Sequence, residues 1–270
     1  TYGVSFVIIG INIVLYNVTQ KKISLLKGLS FISLIIVGLS IAGVGRILSL
    51  PNSNQDIRVA VVQPNVNPNT KWQNKKEIIA FMDSLHQKSI KFKPDLIVFP
   101  ETALPSYLVR DSRTRGALQS TVNSSDIPLL TGTIHTSFEN NFRYYYNSSM
   151  LIIPQKKYEL YSKIHLVPFA EYDLLPSVFH PLTKLNINID RGNFKAGNDY
   201  RVFSYKNLLF SNLICYESSI PKISRTFVSK GAEFLIIQAN DGWLGSSFGP
   251  YQHFELARLR AIENRIPIVR

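Results

Sequence analysis

The first 50 positions hold two uncharged apolar runs with a short basic turn between them. Residues 1–20 carry no charged side chain, and Ser5 to Tyr16 is almost wholly apolar. Lys21, Lys22 and Lys27 follow, then a second uncharged run of 18 residues from Gly28 to Gly45. A helix crossing the hydrocarbon core of a bilayer needs about 20 apolar residues; the second run fits and the first fits marginally. A buried helical hairpin is the bland alternative, but buried helices seldom go so long without charge. A signal peptide fits poorly, because there are two apolar runs and no small-residue cleavage site ahead of a polar start. The pattern predicts two transmembrane helices over residues 1–50, the first truncated because the chain opens on Thr1, and a polar linker over 51–55.

From residue 56 the periods shorten and alternate. Ile57–Val62 reads as a buried strand stopped by Gln63-Pro64-Asn65, and Lys75–Lys91 has helical spacing with Ile78, Ile79, Met82, Leu85 and Ile90 on one side. Asp95–Pro100 and Leu129–Ile134 read as strands, and Tyr144–Ile153 and Lys157–Lys163 as a pair of strands. Leu208–Ile214 is a strand running straight into Cys215; a helix follows Pro221 and ends near Lys230-Gly231. Glu233–Ala239 is another strand, Phe254–Asn264 a helix, and Pro267–Arg270 the start of a further strand that the chain end cuts off. Strands interleaved with helices predict an α/β layered domain over 56–270.

Composition and charge narrow the partners. The single cysteine excludes a disulfide framework, a zinc finger and an iron–sulfur site. The first 55 residues hold Lys21, Lys22, Lys27 and Arg46 and no acidic residue, so the rest has 26 basic against 18 acidic. Cytoplasmic loops next to membrane spans collect Lys and Arg. The 21–27 loop is therefore placed in the cytoplasm and everything after Pro51 outside it, with Arg46 pulling weakly the other way. The basic residues form no stripe and no binding motif appears, which argues against nucleic acid. The excess charge suits an anionic leaflet, and equally an ordinary solvated surface.

Three polar residues stand at predicted strand ends. A free cysteine is more often packing than nucleophile, but Cys215 ends a strand and sits in the acidic setting Cys215-Tyr216-Glu217. Glu101 follows Leu96–Pro100, where apolar walls would raise a carboxylate's pKa toward that of a general base. Lys163 follows Tyr158–Ser162. Each alone reads as core, loop or surface; together they supply nucleophile, base and the positive charge a tetrahedral oxyanion needs. Cysteine–histidine catalysis is the rival, with His165 and His253 available but neither showing an acid partner at a diagnostic spacing.

These residues lie in segments with a recognisable resemblance. Phe99-Pro100-Glu101-Thr102-Ala103-Leu104-Pro105, Tyr161-Ser162-Lys163-Ile164-His165-Leu166-Val167-Pro168-Phe169-Ala170-Glu171 and Ile214-Cys215-Tyr216-Glu217 resemble the nitrilase superfamily, also called the carbon–nitrogen hydrolases. The long His-Leu-Val-Pro-Phe-x-Glu run and the preceding spans are more similar to its membrane branch, the apolipoprotein N-acyltransferases. Val61–Asn65 with Lys71-Trp72, Asn240-Asp241-Gly242-Trp243 and Arg260–Arg265 match further family segments.

The resemblance implies a nitrilase-like α-β-β-α sandwich preceded by transmembrane helices, with the catalytic domain at 56–270 truncated at its C-terminal end. It implies a catalytic triad of Glu101, Lys163 and Cys215, supported by Glu171, Tyr216 and Glu217, with Trp72 handling substrate. It implies a phospholipid acyl donor, a diacylglyceryl apolipoprotein acceptor, a thioester on Cys215, and no metal or organic cofactor. The implied location is the bacterial inner membrane, multi-pass, with the catalytic domain on the periplasmic side. Phe248, Tyr251, Leu104 and Tyr107 are candidates for a lipid-facing mouth, with ordinary core or loop placement equally open. Two other functions compete: a membrane-tethered amidase hydrolysing a C–N bond, and a non-catalytic membrane scaffold.

Overall fold

The computed structural model describes residues 2–49, 56–139, 142–168, 170–172 and 194–270. The expected linker 51–55 and Phe169 of the long motif lie outside them. Residues 1–56 and 57–270 form two separate units.

In the first unit, helix α1 spans Tyr2–Thr19 and α2 spans Leu25–Leu48. Ser24 caps α2, its side chain accepting from the Lys27 backbone N–H. Among the described residues α2 is the one helix long and apolar enough to cross a membrane; α1 is apolar but short of that length. Both present large apolar side chains to their surroundings, among them Phe6, Ile9, Leu34 and Ile41.

The second unit is a sandwich of two sheets. The first sheet has the order β1 (Val59–Val61), β2 (Leu96–Val98), β3 (Leu129–Glu139), β4 (Phe142–Ile152), β5 (Glu159–Ser162). Strands β1 to β3 run parallel, and β4 and β5 each reverse direction. The second sheet has the order β6 (Phe203–Tyr205), β7 (Leu208–Ile214), β8 (Phe234–Gln238), β9 (Ile268–Val269), with β7 to β9 parallel.

The period-2 pattern of the strands sorts their side chains into two cores. Leu96 and Val98 of β2, Leu130 of β3 and Leu151 of β4 pack with Phe210, Leu213, Leu235 and Ile237 of the second sheet. Their neighbours Ile97, Leu129, Met150 and Ile152 face the other way, onto α3 (Lys75–Ile90) and α4 (Ser112–Ser125) through Ile78, Met82, Leu118 and Val122. Helices α5 (Pro221–Ser229) and α6 (Gly249–Asn264) contribute Ile223, Phe227 and Ala257 to the second sheet's core. The result is the expected α-β-β-α sandwich.

Three polar side chains interrupt the apolar interface between the sheets. Ser149 of β4 donates to the Gln238 side-chain oxygen, Asn212 of β7 donates to Ser149 at 2.6 Å and Gln238 at 2.9 Å, and Gln238 donates to the Phe99 carbonyl. A buried network of this kind, with only the Asn212 side-chain oxygen left without a partner, favours one register between the layers. It lies directly beneath the strand ends that carry the chemistry.

Leu104, a candidate for a lipid-facing mouth, is fully buried in the core with α3 and α4. An apolar side chain two residues beyond the Glu101–Thr102 turn finds protein rather than lipid. Phe248 and Tyr251 are exposed, and Tyr107 is partly so.

Candidate active site

Topology brings the polar residues to one end of the sandwich. Strand β5 is antiparallel to β4, which is antiparallel to β3, so β5 runs in the same direction as β2. Glu101, three residues past β2, and Lys163, one residue past β5, therefore leave the same end of the first sheet. Cys215 and Asn240 leave the C-terminal ends of the parallel strands β7 and β8. The C-terminal ends of parallel strands are where α/β folds gather their sites.

Local backbone geometry aims each group. Thr102, directly after Glu101, has φ of 43°, and Cys215 has φ of 50°. Left-handed backbone at a non-glycine residue is uncommon and strained, and it clusters at functional turns. Gly132 of β3 permits the first turn, since a Cβ there would run into the backbone of Pro100 and Thr102. The second turn is a sharp strand-to-helix corner. Cys215–Ser219 forms a 3₁₀ turn, and Pro221 starts α5 with the fixed φ that suits a first helical position. Such a corner lifts a nucleophile out of the sheet edge.

The Lys163 ammonium lies between two carboxylates, 2.8 Å from Glu171 and 3.8 Å from Glu101, and its side chain is 1% exposed. Asn147 of β4 stitches the carboxylates together, its amide N–H donating to Glu101 at 2.8 Å and Glu171 at 2.9 Å. The other Glu101 oxygen accepts from the Asn240 backbone N–H at 3.1 Å, and Glu171 accepts from the Val167 N–H at 2.8 Å. Glu101 also lines a cavity of about 1030 Å³, which leaves its carboxylate approachable.

Burial pulls the Lys163 pKa down, but the charges of Glu101 and then Glu171 act the other way and the ammonium is held above the ordinary lysine range. Lys163 is thus a fixed cation. Burial pushes the Cys215 thiol well up, Glu101 pushes it further, and Lys163 pulls the other way. The thiol rests protonated. With one cation and two carboxylates the cluster already carries an excess negative charge, and a thiolate would add another in a poorly solvated place. Moving the thiol proton onto Glu101 removes that conflict, because the cluster's net charge does not change.

Glu217 is buried behind the corner. Its carboxylate accepts from the Tyr161 hydroxyl at 2.8 Å and from the backbone N–H groups of Ile164 at 2.7 Å, His165 at 3.1 Å and Ile214 at 2.8 Å. It clamps the chain after Lys163 to the chain before Cys215. Burial raises its pKa, opposed by the hydrogen bonds it accepts. Tyr216 is partly exposed beside the cysteine. Trp72 is partly exposed, its ring 5.6 Å from that of Tyr107, and Lys71 beside it donates to the Thr102 carbonyl at 2.9 Å.

The structure thus gathers Glu101, Lys163 and Glu171 in direct contact, with Cys215 within reach of their charges. Glu217 acts at the back of the turn, and Trp72 sits in the loop that Lys71 ties to Thr102. Sequence reasoning missed Asn147 and Asn240. Asn147-Ser148-Ser149 fits a glycosylation pattern, but its asparagine is buried. The usable signal was a polar triplet inside an otherwise apolar and aromatic strand. His253 does have an acid partner, Asp241, at 2.8 Å from Nδ1; the two meet across a turn that sequence spacing does not reveal.

The architecture is a two-sheet sandwich flanked by helices, with a carboxylate, an ammonium and a thiol at neighbouring strand ends. The Carbon-nitrogen hydrolase family model matches residues 58–270, and the chain belongs to that family. Within it the chain is similar to proteins named apolipoprotein N-acyltransferase. It is 32% identical to that of Chlorobaculum tepidum and 35% identical to that of Rickettsia typhi, covering 100% of this chain and 56% and 54% of theirs. The chain spans about half the length of the curated relatives it matches. Among solved structures it resembles a carbon–nitrogen hydrolase from Helicobacter pylori G27, with a TM-score of 0.58 and 16% identity over 78% of this chain and 71% of the other. An amidase of the nitrilase superfamily from Nesterenkonia AN1 gives a TM-score of 0.55 at 16% identity over 82% of this chain and 78% of the other. These two likenesses concern the fold.

Proposed function

We propose that the chain carries the catalytic domain of a membrane N-acyltransferase. It moves an acyl chain from a phospholipid, through a thioester on Cys215, to the N-terminal amine of an S-diacylglyceryl-cysteine apolipoprotein. The observation that carries this reading is the buried Glu101–Lys163–Glu171 cluster beside a strained, protonated cysteine, in a chain whose full length aligns with apolipoprotein N-acyltransferases.

In the first half-reaction Glu101 takes the Cys215 proton as the sulfur attacks the ester carbonyl. Lys163 and a backbone N–H near Tyr216 hold the oxyanion. Glu101 then returns the proton to the departing lysophospholipid alcohol, leaving the thioester. In the second half-reaction the amine attacks the thioester and gives its proton to Glu101. The sulfur leaves and is reprotonated. Glu171 and Asn147 keep Lys163 and Glu101 in register, Glu217 holds the cysteine corner, and Trp72 meets substrate at the rim. The helix α2 anchors the chain in the inner membrane of a bacterium, with the catalytic domain on the periplasmic side.

The test incubates the membrane-embedded protein with vesicles of acyl-labelled phospholipid and a diacylglyceryl-cysteinyl peptide. The expected products are labelled peptide carrying an amide-linked acyl chain and, without peptide, label on Cys215 that hydroxylamine removes. Release of free fatty acid alone, with the peptide unmodified, would replace the transferase by a hydrolase. No label on the protein under either condition would leave only the scaffold reading.

A further inference from the structure

Behind Cys215 lies a second polar cluster that the proposed reaction does not use. His253 of α6 places Nε2 3.0 Å from the Cys215 carbonyl oxygen and 2.7 Å from the Ser218 hydroxyl. Its Nδ1 lies 2.8 Å from Asp241 and 3.0 Å from the Arg270 guanidinium, which also donates to the other oxygen of Asp241. Ser218, His253 and Asp241 thus follow the hydrogen-bond order of a serine triad. The serine cannot act as a nucleophile. It is fully buried, and its hydroxyl proton goes to the Cys215 carbonyl at 2.8 Å. The Ser218 oxygen is therefore left as an acceptor toward His253. A carbonyl only accepts, so with the Arg270 N–H pointing at Nδ1 the tautomer that fits these contacts carries its proton on Nε2.

The imidazole and the serine both face the carbonyl of Cys215, a residue whose backbone must be held in a strained conformation. A left-handed non-glycine residue persists only where its surroundings over-determine it. We infer that His253, oriented by Asp241, is a positioning residue that pins the Cys215 peptide so that the sulfur points at Glu101 and Lys163. This rests on the reading of Cys215 as the nucleophile.

Two measurements test it. The first is single-turnover acylation of Cys215 from labelled phospholipid vesicles, at varied phospholipid. The second is alkylation of Cys215 by iodoacetamide, which needs no acyl transfer. His253→Ala is expected to slow both by about tenfold or more, the size expected for a lost hydrogen bond to a strained group, with the phospholipid concentration at half-maximal rate unchanged. His253→Gln, whose amide reaches the Nε2 position and donates to the same carbonyl, is expected to recover most of both rates. Asp241→Asn is expected to fall between wild type and His253→Ala.

If His253→Ala is too unstable to measure, the Gln and Asn variants decide, since a purely space-filling histidine would leave Asp241→Asn at the wild-type rate. Alkylation of His253→Ala at the wild-type rate overturns the inference, as does a Gln variant no better than Ala. Wild-type protein that alkylates normally yet never acylates removes the transferase reading instead, and the alkylation series still decides the positioning role.

Discussion

Cys215 combines a strained backbone with a thiol whose proton is held more tightly than usual. The first favours a nucleophile and the second opposes one, and Glu101 links them. Its charge is the second cause of the raised thiol pKa, after burial, and it is also the base that the proposed reaction uses to relieve it. Glu101→Gln should therefore split two observables that usually move together. The Gln variant loses acyl transfer by about a thousandfold or more, as expected for a removed general base. Its thiol becomes more acidic, so the pH profile of iodoacetamide alkylation moves to lower pH. Lys163→Ala should lose transfer as well but move the profile upward, because Lys163 is the one group that lowers the thiol pKa. A shift in the same direction for both variants would mean that Cys215 does not sense the two charges as the geometry requires. Glu217 makes a different case. Its carboxylate is surrounded by four donors, so Glu217→Gln turns an amide N–H toward at least one of them. It is expected to destabilise the domain by about 2 kcal/mol or more, the penalty for an unsatisfied buried polar group, read from urea denaturation.

Elements differ in how plainly the sequence announces them. The strands β2 and β8 are legible because both faces are buried, which makes them near-continuous apolar runs, and β7 because apolar pairs flank its buried Ser211-Asn212. Helix α3 is legible from its spacing, and the structure places it at Lys75–Ile90. Helix α4 is absent from the sequence reading. It buries only Leu118 and Val122, contains Gly116, and leaves no apolar stripe to count. Its true marker is Asp111, which accepts from the Thr114 N–H at 3.0 Å and the Ser106 hydroxyl at 2.6 Å. Ser106, then Thr114, hold that carboxylate below the usual range, and Asp111→Ala should cost about 1 kcal/mol in a thermal or urea melt as a lost cap. Strand β6 has three residues and escaped for want of length. At the site, Glu101, Lys163 and Cys215 could be read from strand ends, whereas Asn147 and the Asp241–His253 pair depend on register and on a turn.

Helix α3 also carries a test of its own. His86 is fully buried against the edge of the Phe99 ring, and neither ring nitrogen has a hydrogen-bond partner. Burial lowers its pKa, with Asp83 opposing. A histidine whose folded pKa lies below its unfolded one contributes stability above the unfolded value of about 6.5. That contribution is lost as pH falls through the folded value. The melting temperature of the protein should fall more steeply from about pH 7.5 to about pH 5 than that of His86→Leu, which has no proton to bind there. Parallel pH dependence in the two would show that His86 is not the group being protonated.

On the scale of the whole molecule, the proposed orientation rests on the charges that flank the apolar helices. The lysines of the 21–27 loop outnumber the single Arg46 at the far end of α2; on the proposed reading that bias holds the loop in the cytoplasm and leads α2 outward. The bias is modest, because one basic residue opposes three, and it concerns only residues flanking the spans, where charge sets orientation. The 26 basic residues of the folded domain carry little weight, since large domains translocate regardless of charge. Lys230, exposed at the end of α5 that begins past the cysteine corner, offers a handle that is not itself a site residue. In a Cys215→Ala background, Lys230→Cys should react with a membrane-impermeant maleimide in cells whose outer membrane is permeable and whose inner membrane is intact. Replacing Lys21, Lys22 and Lys27 by Gln should reduce that labelling, because the loop then loses the charges that hold it inside. Labelling that appears only after the inner membrane is broken would place the sandwich in the cytoplasm, and with it a thiol enzyme unable to meet lipoproteins after their export.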